Sequence, residues 1–428
     1  MSSKAADSRF SVQLGTKTLL LIWVFICIAF GWLAWPMFWN QSTDYGLYYS
    51  LGELFAAGQG MDIYVTGEQG PWFGYPAWVA PIFYVLQWIP VMQSRGLFFL
   101  LKILLLCAWP FLLVQCSASA KGATRSYVLA GAAILVVFPA IFEEILAGNI
   151  NTFLLTLAFG AFALSRHGYY LVSAAMLTFI AAFKPQYALF LAPLALISPL
   201  RAIWGGLLSG ASILAIAASQ FGLQGLIALM TRWTELMASP LALPSDANNM
   251  SSTGVIARLL SPLGLSQSGD LQNMNLLSIP YDNAMFIARI FAGALSAAMV
   301  LMLAKRWRAG REDWLLEVYA GICLVTLVVT PVIWLTHYMF LALPIFAIGQ
   351  IYLKANAKLV SGMFFAMIGS LFLASQMFSN PPATMVFARA YGLPYFALVF
   401  AVIAFLFAKC ESKLVAKVGD SAGGNHAA

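Results

Sequence analysis

Asp44, Lys184, Arg258 and His337 stand out in a chain that is otherwise almost bare of charge. They supply one carboxylate, two cations able to hold an anion, and one imidazole. Asp44 lies in the stretch 39–75, which is polar, aromatic and turn-rich and holds Asp44, Glu53, Asp62 and Glu68, four of the chain's 16 carboxylates. It follows the first hydrophobic run, so it falls near the membrane–water boundary, where a carboxylate is costly unless it has work or a partner. The alternative is an N-cap for the helix expected to start near Tyr45, since Asp caps well. Lys184 precedes Pro185, which disturbs a helix and frees backbone groups. Its ammonium either snorkels to the surface or holds a phosphate as a point charge. His337 follows PVIWLT and is either a hydrogen-bonded residue at a span end or part of a site. The other two histidines, His167 and His426, fall in a loop and a tail. The polar stretch NNMSSTGVIAR at 248–258 ends in Arg258; it is a plain loop or a second anion-binding element.

The elements that must position these groups are membrane helices. The chain has 428 residues, of which 61% are hydrophobic and only 9% charged, with a mean hydropathy of +0.84. A soluble domain carries about 25% charged residues, so this chain cannot cover a water-facing surface. The apolar runs are continuous and lack the alternation of a membrane β-barrel. The fold class expected is all-α and polytopic, with about twelve spans by the hydrophobic-run rule. The run 75–90 is the one expected to dip without crossing. Within the first loop, Leu47, Leu51, Leu54 and Phe55 share a face of an expected helix over 45–58, read as amphipathic and interfacial. The five cysteines, Cys27, Cys107, Cys116, Cys323 and Cys410, form no CxxC and read as small apolar residues.

The net charge of +7 sits in short clusters between hydrophobic runs, the pattern of cytoplasmic loops and no sign of nucleic-acid binding. Residues 1–17 are therefore expected in the cytoplasm, followed by a single membrane domain over 18–409 and a disordered cytoplasmic tail over 410–428. The run 19–38 is too long for a signal-peptide core and reads as a retained anchor. The KRWRAGR cluster at 305–311, Lys354 with Lys358, and the C-terminal lysines are assigned to the cytoplasmic side. The loops 39–75 and 222–283, the turn at His337 and the SNPP turn are then external. This bookkeeping brings Asp44, Asn149, Lys184 and His337 to one membrane face, and such convergence of rare polar groups points to a site.

No GxxxxGK[ST], HExxH, GxSxG or DxD triplet is present. The motifs that are present run DYGLYY at 44–49, AAGQGMDIY at 56–64, YPAWVAPIFYVLQWIP at 75–90, GNIN at 148–151, FKP at 183–185, NNMSSTGVIAR at 248–258 and PVIWLTHY at 331–338. In this order they resemble the GT-C membrane glycosyltransferases, in particular the polyprenyl-phosphate-mannose-dependent α-mannosyltransferases of glycosyltransferase family 87, the DUF2029 group. The chain has GN where the family has GQ, YPA where it has YPP, and Tyr338 where a second histidine is common.

The resemblance implies a GT-C-like helical bundle with its site on the periplasmic or external face of the inner membrane and both termini cytoplasmic. It implies a donor sugar, mannose, carried on a polyprenyl phosphate, and a lipid or glycan acceptor. Asp44 would be the general base of an inverting transfer, and His337 would orient it or bond the phosphate. Lys184 and Arg258 would hold the leaving phosphate. Tyr48, Tyr75, Asn149, Asn151, Gln186, Asn249 and Trp334, all within or beside the shared motifs, would contact substrate. No metal or cofactor is implied, nor any partner beyond the bilayer and the two substrates, and a monomer is expected. The rival reading, a transporter or flippase of lipid-linked sugars, calls for inverted repeats and mid-membrane charges; the sequence shows no such repeat.

Overall fold

The structure is a computed structural model. It describes residues 15–64, 74–117, 124–238, 249–262, 276–308, 313–352, 371 and 392–407. Among these residues every regular element is helical and none is a strand. Helix α1 is Thr16–Gln41, α2 is Thr43–Ala56 and α3 is Val91–Gln115. Helices α4, Thr124–Val136, and α5, Phe138–Ala147, follow, then α6, Asn151–Arg166, and α7, Tyr170–Phe183. Next come α8, Ala192–Ile197, α9, Pro199–Ala238, and α10, Ser252–Leu260. Helices α11, Tyr281–Arg308, α12, Trp314–Val329, α13, Ala342–Tyr352, and α14, Leu393–Phe407, complete the described chain.

Four helices are long and apolar enough to cross a membrane: α1, α3, α11 and the stretch Pro199–Met237 of α9. A fifth is added when α4 and α5, bent by 59°, count as one span. The remaining apolar runs are built from shorter helices, and prolines account for several of the breaks. The bend between α4 and α5 stands at Pro139, which lacks the N–H a continuous helix needs. Lys184 before Pro185 and Thr330 before Pro331 are both extended and both end their helices, α7 and α12, as pre-proline residues do. Each break is followed by a 3₁₀ segment, Pro185–Leu191 and Leu335–Leu341. The outward faces are apolar: Leu21, Phe25, Trp32 and Leu33 of α1 are 70–82% exposed, a surface that suits lipid and not water.

Contacts sort the helix ends into two sets. At one end, the start of α3 meets α2 through Tyr45 and Val91, and the α5–α6 turn meets Asp44. The end of α7 meets the 3₁₀ segment after α12, and α10 meets the turn at Pro331. At the other end, Ser117 bonds Asp313, Arg166 bonds Gln115 and Gln350 bonds Ser126. The buried pair Arg306–Glu317, 3.2 Å apart, closes the α11–α12 hairpin there.

Two expected loops differ from expectation in detail. The helix in the first loop runs from Thr43 to Ala56, and the residues it buries are Tyr45, Tyr48, Leu51 and Gly52. Leu47, Leu54 and Phe55 are only half-buried, so the packed face is the tyrosine face, laid against the 3₁₀ segment Ala77–Trp88 with Tyr48 stacked on Phe83 at 4.5 Å. The region 222–283, read as an external loop, begins in helix: α9 continues past a bend at Gly222, whose φ of 67° is natural only to glycine. Beyond Ala238 it also holds α10. The segment Ala77–Trp88 is a 12-residue 3₁₀ helix with Pro81 inside. At about 2.0 Å per residue it reaches roughly 24 Å, short of a hydrocarbon core of about 30 Å.

Candidate active site

Gly148 shapes the centre of the site. It ends α5 in the left-handed conformation, with φ 71°, and a Cβ there would stand 2.8 Å from the Cβ of Tyr45 and 3.1 Å from that of Ser42. Only glycine lets the α5–α6 turn lie this close to the start of α2. The turn delivers Asn149, whose Nδ2 donates to Asp44 Oδ2 at 2.6 Å. Asp44 is not the N-cap; that position is Ser42, and Asp44 lies in the first turn of α2. The capping reading is therefore corrected. Its carboxylate is spent on Asn149, in a first turn where the helix dipole favours negative charge.

From Asn149 the hydrogen bonds continue away from Asp44. Asn149 Oδ1 accepts the backbone N–H of Asn151 at 3.1 Å. Asn151 Oδ1 accepts from Lys184 Nζ at 2.7 Å, and its Nδ2 reaches Thr336 Oγ1 at 3.4 Å. Lys184 Nζ also stands 2.9 Å from His337 Nε2. An ammonium only donates, so Nε2 accepts; Nδ1 stands 3.2 Å from the Trp334 N–H and 3.3 Å from the Trp334 carbonyl. The chain thus runs Asp44–Asn149–Asn151–Lys184–His337 across four separate elements. His337 bonds Lys184; the residue that orients Asp44 is Asn149.

Aromatic side chains border this chain. Lys184 Nζ lies 5.9 Å from the ring centre of Tyr75, and the Tyr75 and Tyr48 hydroxyls are 3.1 Å apart. Trp334 is 40% exposed beside His337. Gln186 is half-buried one residue beyond Pro185. Burial pushes the Asp44 carboxyl above the ordinary carboxylate range, while the Asn149 hydrogen bond and the charges of Lys102 and Lys184 pull it back.

Asn249 and Arg258 form a second cluster, joined to the first through the turn from Pro331 to His337. Asn249 Nδ2, Ser251 Oγ and Thr253 Oγ1 all donate to the Pro331 carbonyl, at 3.0, 2.7 and 3.0 Å. Asn249 Oδ1 accepts from the N–H groups of Ile333 and Ser251. Arg258, 3% exposed, donates through Nη1 to the Asn249 carbonyl at 2.7 Å.

Two further charged residues beside the site carry no role in the sequence reading. Lys102 and Glu144 are fully buried and paired at 3.2 Å. Lys102 was legible as the single charge inside the apolar run LFFLLKILLLCAWPFLLV. Glu144, next to Glu143 and the GNIN turn in sequence, gave no sign of being enclosed; only the fold shows it. Among the described residues no group of three or more His, Cys, Asp or Glu is placed to hold a metal ion.

The described helices, apolar on their outward faces, thus gather a carboxylate, a lysine and a histidine at one end of the bundle. The sequence profile of glycosyltransferase family 87 matches residues 72–331, more than half of the chain, and the chain belongs to that family. It is a membrane-embedded glycosyltransferase. No curated protein and no solved structure matches it.

Proposed function

We propose that this glycosyltransferase moves a hexose, mannose by the family resemblance, from a polyprenyl-phosphate-linked donor to a lipid or glycan acceptor at the external, periplasmic face of the cell membrane. The transfer inverts the anomeric centre, uses no metal, and has Asp44 as its general base. One observation carries the reading: the half-buried Asp44 carboxylate is fixed by Asn149 at 2.6 Å and joined through Asn149 and Asn151 to the Lys184 ammonium.

The acceptor hydroxyl gives its proton to Asp44 as its oxygen attacks the anomeric carbon, and the bond from that carbon to the phosphate oxygen breaks. A carboxylate whose basicity is raised by burial is the stronger base for this step. The lipid phosphate leaves as an anion, stabilised by the Lys184 ammonium. His337 also holds that ammonium, through Nε2. The exposed ring of Trp334 and the ring of Tyr75 would offer apolar faces to the sugar, and Gln186, half-buried just past Pro185, would bond its hydroxyls. Arg258 acts on the same phosphate only indirectly, by fixing the turn that carries His337.

The bilayer arrangement rests on about twelve passes, with 75–90 dipping into the membrane without crossing it. The two sets of helix ends support it. The site set holds Asp44, Asn149, Lys184 and His337; the opposite set holds Arg166, Lys305, Arg306 and Arg308, in keeping with a cytoplasmic side. The protein works as a monomer without a cofactor and without nucleic acid. The deciding measurement is turnover of a synthetic polyprenyl-phosphate mannose by purified Asp44→Asn. The variant is expected to keep its thermal stability and donor binding and to lose roughly 10²-fold or more in rate. Near-normal turnover would remove Asp44 as the base.

A further inference from the structure

A lysine and a glutamate buried together inside a membrane bundle need an explanation, because such a pair is weak evidence for stability by itself. Lys102 is in the middle of α3 and Glu144 near the end of α5, both with no exposed surface. The Lys102 ammonium donates to the Glu144 carbonyl at 2.9 Å as well as pairing with its carboxylate. That carboxylate reaches forward to the next helix: Oε1 accepts the Thr152 N–H at 2.9 Å, and Oε2 accepts the Thr152 hydroxyl. The pair therefore clamps the last turn of α5 to the first turn of α6. Between the clamped residues lie Gly148, Asn149 and Asn151, the turn that carries the bond to Asp44.

We infer that Lys102 and Glu144 are positioning residues for the sugar transfer, locking the α5–α6 turn so that Asn149 faces Asp44. This rests on Asp44 being the base. The positive charge of Lys102 is also felt by Asp44 and favours its ionised form. The other groups that face Asp44 are Lys184 from the end of α7, Tyr48 on its own helix and Tyr75 ahead of the 3₁₀ segment; Glu144 faces the two tyrosines. Lys102 and Lys184 are thus the two cations that lower its proton affinity. With Lys102 gone, the carboxylate binds its proton more tightly, and activity is lost at a higher pH as the medium is acidified.

The test compares two double variants of the full chain in detergent or nanodiscs. Lys102→Met with Glu144→Leu removes both charges and the acceptor for Thr152. Lys102→Met with Glu144→Gln removes both charges but keeps an oxygen for the Thr152 N–H. Replacing a buried ion pair by uncharged residues of similar size often preserves stability, so a melting temperature near wild type is expected for the Gln form. The Leu form also strips the buried Thr152 N–H of its acceptor and is expected to melt somewhat lower, so kcat is compared per folded protein. The Leu form is expected to lose kcat on the order of 10- to 100-fold, the cost of a small misplacement at a reacting centre, with donor KM little changed. The Gln form is expected to regain most of kcat, with the acid limb of its kcat/KM profile moved to higher pH. Wild-type kcat and an unmoved acid limb in both forms overturn the inference. So does a loss of kcat that only follows a loss of folded protein, since the pair would then be a prop for the fold. Asp44→Asn in the same assay separates the failures: if it is inactive while both double variants are normal, this inference falls and the function stands; if it is active, the function itself falls.

Discussion

The two polar clusters at the site end of the bundle are built on opposite plans. In the chain from Asp44 to His337, side chains bond mainly to side chains, and three of the five residues are ionisable. In the cluster around Asn249, side chains bond to backbone: three donors converge on the Pro331 carbonyl, Arg258 takes the Asn249 carbonyl, and Tyr338 takes that of Met250. Backbone carbonyls neither titrate nor leave, so the second arrangement holds a turn in place. Side-chain partners can be exchanged for a substrate, so the first arrangement can work. Both clusters contain a buried cation, and a buried cation alone does not mark a phosphate site; its partners decide.

The largest effect that would sharpen this contrast comes from Asn149. Asn149→Ala deletes the bond that orients Asp44 and is expected to lower kcat on the order of 10- to 100-fold. Combined with Asp44→Asn it should cost little more than Asp44→Asn alone, because residues acting as one unit are not additive. Additive losses in that double-variant cycle would show that Asn149 acts elsewhere and break the chain at its first link.

Lys184→Ala comes next. It is expected to raise the donor KM by about tenfold, equivalent to about 1.4 kcal/mol, with Lys184→Arg retaining part of the affinity because Arg also binds phosphate, with a different shape. An unchanged donor KM in the alanine variant would return Lys184 to a merely buried residue. The same variants sharpen the pH dependence. The active form of Asp44 is the carboxylate, and burial raises its proton affinity. Activity is therefore present above that raised pKa and falls as pH drops through it. Without the Lys184 charge, one of the influences that lower that pKa is gone, and the acid limb of kcat/KM should move to higher pH. An unmoved limb would mean that some other group titrates.

How much of this could be read from the chain differs between its parts. The all-helical bundle and the gathering of rare polar groups at one end of it followed from charge clusters and apolar runs, because clusters of unpaired positive residues stay out of the hydrocarbon core. Pre-proline breaks at Lys184 and Thr330 were half legible: Pro185 was visible as a disturbance, but not that each break hands over to a 3₁₀ segment presenting Lys184 or His337. The pairing of Asp44 with Asn149 spans 105 positions and has no local signal; it depends on a glycine close approach that exists only once α2 and α5 are packed. For the same reason the sequence left a cap open as the alternative for Asp44, and the pairing of Lys102 with Glu144 had no signal. The partner of a buried charge is chosen by tertiary packing, which a periodic pattern does not encode.

The smallest expected effect tests the comparison from its quiet side. Arg258 was paired with Lys184 as a phosphate ligand when only residue types were known, and the two now stand in different surroundings. Lys184 bonds two side chains of the reactive chain, whereas Arg258 supports the Asn249 carbonyl beneath the turn that carries His337. Arg258→Ala would leave that buried carbonyl without its charged donor, a loss of about 1–3 kcal/mol, seen as a lower melting temperature. Once corrected for folded protein, kcat and donor KM should stay within about twofold of wild type, since no transition-state contact has been removed. Asn249→Ala, which strips acceptors from Ile333 and Ser251, should show the same split. If instead Arg258→Ala raises donor KM as Lys184→Ala does, at unchanged stability, then Arg258 touches the phosphate directly. The second cluster would then be part of the binding site, and partner type would not separate holding from working.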